Sequence, residues 1–298
     1  MLKESQNRVK VEGILSEIDL QPKTFKKNGQ DVNAIGGSIK VRVNQDIDGK
    51  NTELEIPVYM FAAEFTNAGA PNPAYESIAR VAKEYTSIAA GGLDKADRVR
   101  ITGAKITMNE YYGQNGNLIS FPRITASFVN KIRADECKPE AKFEVTFVVG
   151  QKGYETDKDG IETDTYKVTA LLPQYGGKVD VVPFVSRNPS VINALSEYWN
   201  EGDTVKAIGK LNFTSRTETT TVEVDFGEPT EQTRTITVSE LLITGGNSTP
   251  MEGDFAIDTD DIKAALAERK ERLANMKERA ASGTKAPGKN KAFDNLGF

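Results

Sequence analysis

The stretch DRVRITGAKI at residues 97–106 returns 106 positions later as DTVKAIGKL at 203–211. A shared Asp-x-Val-(Arg/Lys)-x-x-Gly proves little alone; what decides the fold is whether its neighbours return in the same order. They do. Upstream of each copy lies a short helical pattern opened by Asn-Pro: NPAYESIARVAKEY at 72–85, with Ile78, Val81 and Tyr85 at helical spacing, and NPSVINALSEYW at 188–199, with Val191, Leu195 and Tyr198. Asparagine caps a helix, and proline suits its first position. Both patterns end in Glu-Tyr and then reach glycine, Gly91 and Gly92 in one and Gly202 in the other, a stop signal. Earlier still, LEIPVYMF at 54–61 has a partner in VDVVPFVS at 179–186, and KVEGILSEI at 10–18 in KFEVTFVVG at 142–150. Downstream, ITASFVN at 124–130 matches ITVSELL at 236–242.

Each copy therefore reads strand, strand, strand, helix, strand, strand. In the first copy these fall near 8–18, 36–45, 52–61, 74–90, 98–109 and 121–131. Alternation supports the strands: Ile39, Val41 and Val43 face one way, and Lys40, Arg42 and Asn44 the other. Five strands with a helix between the third and fourth is the order of the OB-fold, a small Greek-key barrel. The expectation is an all-β chain with a minor helix: one five-stranded OB barrel in 1–133, a second in 134–250, and an acidic stretch, charged helix and disordered tail in 251–298. Gly103 and Gly209 then sit where a coiled strand bends to close each barrel.

Composition narrows the chemistry. A chain of 298 residues has room for two ordinary cores. It contains no histidine, which removes Ser-His-Asp and Cys-His catalysis, zincin motifs and the usual imidazole base. The one cysteine, Cys137, excludes an internal disulfide and a cysteine zinc cluster. With no phosphate-binding glycine loop, nucleophile elbow or calcium loop in the sequence, no enzyme, metal or cofactor is expected. No apolar run approaches membrane length, and the start MLKESQNRVKVEG has no signal-peptide core, so cytoplasmic residence, in a bacterial host cell, is the expectation.

The two segments DRVRITGAKITMNEYYGQNGNLISF and DTVKAIGKLNFTSRTETTTVEVDF, each a glycine-bearing strand leading into a hairpin, resemble the fourth strand of the bacterial single-stranded DNA-binding protein (SSB) family. The resemblance covers roughly 240 residues as tandem domains; because the bacterial form has one OB domain, it points to a phage or other mobile element. It implies single-stranded DNA crossing the outer face of strands one to three and the β1-β2 and β4-β5 loops, with bases stacked on rings.

The residues offer candidates. With Leu54, Ile56, Val58 and Met60 inward, Tyr59 and Phe61 point outward beside Lys40 and Arg42, rings and cations suited to sequence-tolerant binding. Phe61 has a second reading, packing under the following helix. The first connection, QPKTFKKNGQ, carries Lys23, Phe25, Lys26 and Lys27 about an Asn-Gly turn, either a strand-clamping loop or a solvated hairpin tip. The later hairpin offers Tyr111, Tyr112 and Arg123. In copy two the analogues are Tyr154, Tyr166, Lys167 and Lys206, the last matching Arg100. Residues 1–133 hold 18 Lys+Arg against 15 Asp+Glu, and 134–250 hold 11 against 19. Phosphate neutralisation therefore favours copy one as the main binder.

SSB-family tails end in an acidic run and Pro-Phe that recruit partner proteins. This chain ends in Asp294-Asn295-Leu296-Gly297-Phe298, keeping the phenylalanine without the acid run or the proline, and Leu296 and Phe298 are the candidate docking residues for replication or recombination proteins. Single-stranded DNA is the expected partner. RNA, and a structural or adaptor role such as a virion component, are the rivals, and a monomer and a homodimer are equally compatible.

Overall fold

In the computed structural model, which describes residues 2–113, 115–222 and 230–282 and only the backbone of 215–222 and 230–236, the first alternating segments become three long strands. These are β1 (Asn7–Lys27), β2 (Gln30–Ile47) and β3 (Lys50–Ala63). Ile39, Val41 and Val43 on β2 and Leu54, Ile56, Val58 and Met60 on β3 are buried, as a period of two requires. Asn28-Gly29 and Asp48-Gly49 turn the chain between them with positive φ at both residues, the conformation that matches the twist of a tight hairpin. The strands outrun their apolar signal: Leu20–Lys27 stays paired with Gln30–Gly37. QPKTFKKNGQ is therefore a hairpin arm held by its own ladder, not an open loop.

Helix α1 (Pro73–Glu84) follows, with the Asn72 side chain accepting from the Ala74 N–H and Ile78 and Val81 turned inward. After the single turn α2 (Ile88–Gly91), β4 (Arg98–Tyr112) and β5 (Leu118–Thr125) complete the barrel. β4 pairs with both β5 and β1, and β5 runs parallel to β3. The circuit β1-β2-β3-β5-β4-β1 is the OB-fold Greek key. A short β6 (Asn130–Ile132) pairs with the start of β4.

The second half repeats the circuit with β7 (Glu140–Thr156), β8 (Glu162–Pro173), β9 (Val179–Ser186), α3 (Pro189–Tyr198), β10 (Thr204–Val222) and β11 (Thr230–Gly246). It closes as β7-β8-β9-β11-β10-β7. Asn188 caps α3 through the Ser190 and Val191 N–H groups. The buried line is Ile192, Leu195 and then Trp199, with Tyr198 turned out, one position round from the line expected. Pairing also moves two sequence matches: the first strands align two residues further on, Val11 with Val145 rather than Phe143, and the last strand shifts as well. Leu242 stands opposite Val185 as Thr125 stands opposite Tyr59, and Val185 holds Tyr59's place two residues after the strand's proline. The counterpart of ITASFV is thus LLITGG at 241–246, and ITVSELL lies mostly in a hairpin extension.

The barrels join edge to edge. Asn7–Glu12 of β1 pairs antiparallel with Glu140–Val145 of β7. Val11 faces Ile101, and Val145 faces Ala207, at matching places in the repeated motif. Val9, opposite Phe143, therefore meets its own counterpart, and a local two-fold axis passes between them. This is an isologous contact inside one chain. Outlying contacts obey the same axis: Gln45 of β2 donates to the Leu211 carbonyl at 3.0 Å, and Gln174, just past β8, donates to the Ile106 carbonyl at 3.0 Å.

One element breaks the symmetry. Helix α4 (Thr259–Ala281), capped by Asp258, packs Ile262, Ala265 and Leu266 against Leu2, Val148 and Val179. Its Arg269 and Arg272 reach the buried Glu110 near the end of β4, so the helix touches both barrels. No helix among the described residues is long and apolar enough to cross a membrane.

Candidate nucleic-acid interface

Three rings gather on the outer face of barrel one. Tyr59 and Phe61 leave β3 on the side away from the core, and both are half-buried. Phe25, carried by the β1-β2 arm, tilts against Phe61 with centroids 5.8 Å apart. The arm thus places a third ring beside two that a single strand supplies. Beneath Tyr59 lies Arg123, its Cζ 4.8 Å from the ring centroid. Arg123 is 5% exposed and donates from Nη2 to Asn109 Oδ1 at 2.5 Å. Expected with Tyr111 and Tyr112 as an accessible nucleic-acid contact, it is instead a buried support, and burial pushes its pKa down.

The neighbouring cations are already engaged. Lys40 donates to Glu17 at 2.5 Å, and Arg42 to Glu55 at 2.9 Å with Glu53 at 3.5 Å. Hydrogen bonds to those carboxylates raise both basic pKa values, so the face is neutralised from within. On the arm, Lys26 is exposed, Lys27 donates to Asn67 at 2.6 Å, and burial lowers the pKa of Lys23. On the β4-β5 hairpin, Tyr111 and Tyr112 are half-buried, Tyr111 edge-on to Phe121 at 6.5 Å. Opposite them in register stand the exposed Ile119 and Leu118. Sequence reasoning passed over these two, although pairing of 111–112 with 118–119 in a hairpin makes them cross-strand neighbours.

Barrel two presents a different surface. Tyr154 is exposed, but Tyr166, its perpendicular neighbour at 5.1 Å, is 6% exposed, lies near Ser196 of α3, and has its pKa raised by burial. Tyr166 therefore has no open face, contrary to expectation. Lys167 is exposed, 3.9 Å from Glu155. Phe143, Phe147, Phe184 and Trp199 form the core, with Phe147 stacked on Phe184 at 5.5 Å and edge-on to Trp199 at 5.8 Å. Among the described residues every buried aromatic side chain lies in this second half.

Arg100 and Lys206 also change role. Arg100 clasps Glu12 with two hydrogen bonds of 2.8 and 3.0 Å, next to the seam between barrels. Glu12 is fully enclosed and also accepts from the Lys138 N–H at 2.7 Å, with Lys10 at 3.0 Å. The Arg100 hydrogen bonds, aided by these neighbours, hold the Glu12 pKa down to about 2. Lys206, at the matching place, pairs with Glu144. Both cations are seam residues. Leu296 and Phe298 lie outside the described residues. Among those described, no cluster of three or more Cys, Asp and Glu is placed to hold a metal ion.

Two closed OB circuits related by a local two-fold, one with an aliphatic core and the other with an aromatic one, define a double-barrel OB protein. The chain belongs to the YorF family, whose model matches residues 5–279. Among solved structures it is similar to the single-stranded DNA binding protein from Thermus aquaticus. The wild-type form gives a TM-score of 0.45 at 11% identity, covering 84% of this chain and 96% of that one. A deletion mutant gives 0.46 at 11% identity, covering 84% and 97%. No curated protein matches the chain.

Proposed function

We propose that this chain binds single-stranded DNA without strong sequence preference and protects exposed strands during replication or recombination. The strand runs over the outer face of β1 to β3 in barrel one, with bases on Tyr59, Phe61 and Phe25. The observation that carries this reading is the three-ring surface, reached from two elements, on the outer face of a barrel whose own core is aliphatic. Every base has a π-face, so such a platform grips any sequence. Because Lys40 and Arg42 are held by carboxylates, stacking supplies more of the affinity than charge, and fewer counterions are released than the cations would suggest. Leu296 and Phe298 at the C-terminal end recruit partner proteins.

Titration with a poly-dT oligonucleotide, its RNA counterpart and a duplex at two salt concentrations tests the proposal. Tight binding to poly-dT with a shallow salt dependence and poor competition by duplex is expected. Equal affinity for duplex and single strand overturns it, and stronger binding to the RNA moves the substrate class to RNA.

A further inference from the structure

We infer that Arg123 is a positioning residue for Tyr59, fixing the ring from below so that its outer face is set to receive a base. The inference rests on the stacking role proposed above and assigns Arg123 to the ring, not to phosphate. The lock spans three strands. Arg123 stands on β5 opposite Thr107, Asn109 lies two residues further along β4, and Tyr59 stands beside Thr125 across the β3-β5 seam. Asn109 is itself buried and holds the guanidinium through Nη2, while the guanidinium lies 4.8 Å from the ring centroid. With one face of a half-buried ring resting on a buried cation, the other face is the one turned to solvent.

A purely structural purpose explains this arrangement poorly. Burying a guanidinium has a large desolvation cost, and an apolar side chain of similar volume would serve the seam as well or better. The second barrel closes the same seam differently. There Val185 stands at the place of Tyr59, Arg187 at that of Phe61 and Glu240 at that of Arg123. Arg187 and Glu240 form a bidentate pair of 3.1 and 2.5 Å, which Asn212 joins at 2.8 Å. The second barrel therefore closes this seam with an ion pair, whereas barrel one sets a buried cation against a ring there.

The test is a double-variant cycle on the full chain, read by poly-dT affinity and by affinity for an abasic oligonucleotide of equal length. Tyr59→Ala is expected to weaken poly-dT binding about tenfold, the scale of one lost stack. Arg123→Lys keeps the charge but loses the planar contact, and is expected to weaken poly-dT about three- to tenfold. It should have no effect on the abasic strand and add nothing once Tyr59 is alanine. An equal loss from Arg123→Lys in both backgrounds, or no loss in either, overturns the inference while poly-dT binding itself stands. Absence of poly-dT binding by the unmodified chain overturns the stacking proposal and this one with it. If Arg123→Lys does not fold, Asn109→Ala, which releases the guanidinium, is put through the same cycle with the same criteria.

Discussion

Barrel one keeps its rings at the surface over an aliphatic core of Leu15, Ile39, Ile56, Ile101 and Ile124, whereas barrel two fills its core with Phe143, Phe147, Phe184 and Trp199. The circuits are the same, so the fold does not dictate where aromatic side chains go. A core needs volume and apolar surface, which branched aliphatics supply as well as rings do. Rings enclosed in a core are unavailable to a ligand. The glycines of the repeated motif part company in the same way. A Cβ on Gly209 would meet the Leu242 carbonyl oxygen at 2.0 Å and Phe143 at 2.3 Å, while a Cβ on Gly103 meets nothing within 4 Å. Identical letters hold a tight backbone contact in one copy and an open, exposed bulge in the other.

The largest expected effect tests that glycine contrast. Gly209→Ala should destabilise the protein by about 3 kcal/mol, since a backbone oxygen cannot step aside. Gly103→Ala should stay within about 0.5 kcal/mol. Urea denaturation of the two variants decides; similar losses would show that both glycines serve closure alike.

Acid should come next. Glu12 has its pKa depressed from 4.5 to about 2, so its contribution to stability is complete above pH 4.5 and is lost as the pH falls through about 2. Its place in barrel two is taken by Thr146, opposite Lys206, which has no such titration. Glu12→Gln should cost about 2 to 3 kcal/mol at pH 7 and progressively less as the pH drops from 4.5 toward 2. A deficit that stays constant across that window would remove Arg100–Glu12 as the source.

Binding should separate the barrels less steeply. Tyr59→Ala is expected to cost about 1 to 3 kcal/mol of poly-dT affinity, and Tyr154→Ala less, since the ring in contact with Tyr154, Tyr166, is enclosed. The reverse order would make barrel two the main reader. The smallest effect belongs to the arm: Lys26→Ala should weaken binding slightly and reduce the salt slope by about 1, measured by titration across salt concentrations.

Much of the architecture was legible from the repeat. Alternation at 39–43 and 54–60 marked the inner faces of β2 and β3, and the two Asn-Pro openings marked α1 and α3, because caps and periodic burial are local chemistry. The hairpin arm at 20–37 was hidden, since a ladder outside the core needs no apolar alternation; Asn28-Gly29 was its one local sign. Arg123 and Tyr166 could not be placed from sequence. Arg123 and Ile124 are adjacent and both buried, which breaks alternation where β5 meets β3, and Tyr166 is covered by α3, an element distant along the chain. The engagement of Lys40, Arg42 and Arg100 depends on cross-strand register, which spacing alone does not specify.

The axis between Val9 and Phe143 has a consequence for dilution. An isologous pair of separate subunits comes apart when its concentration falls below the dissociation constant. Here only the few residues between β6 and β7 connect the halves, and a short linker gives an effective concentration on the order of millimolar. The seam therefore stays formed at any dilution of the chain. Cutting the connection between Ile132 and Glu140 would turn it into an ordinary dimer interface that weakens with dilution. In crowded refolding the first strand of one molecule could pair with the seventh of another, since the backbone ladder does not distinguish the two sources, and exchanged dimers are the expected by-product.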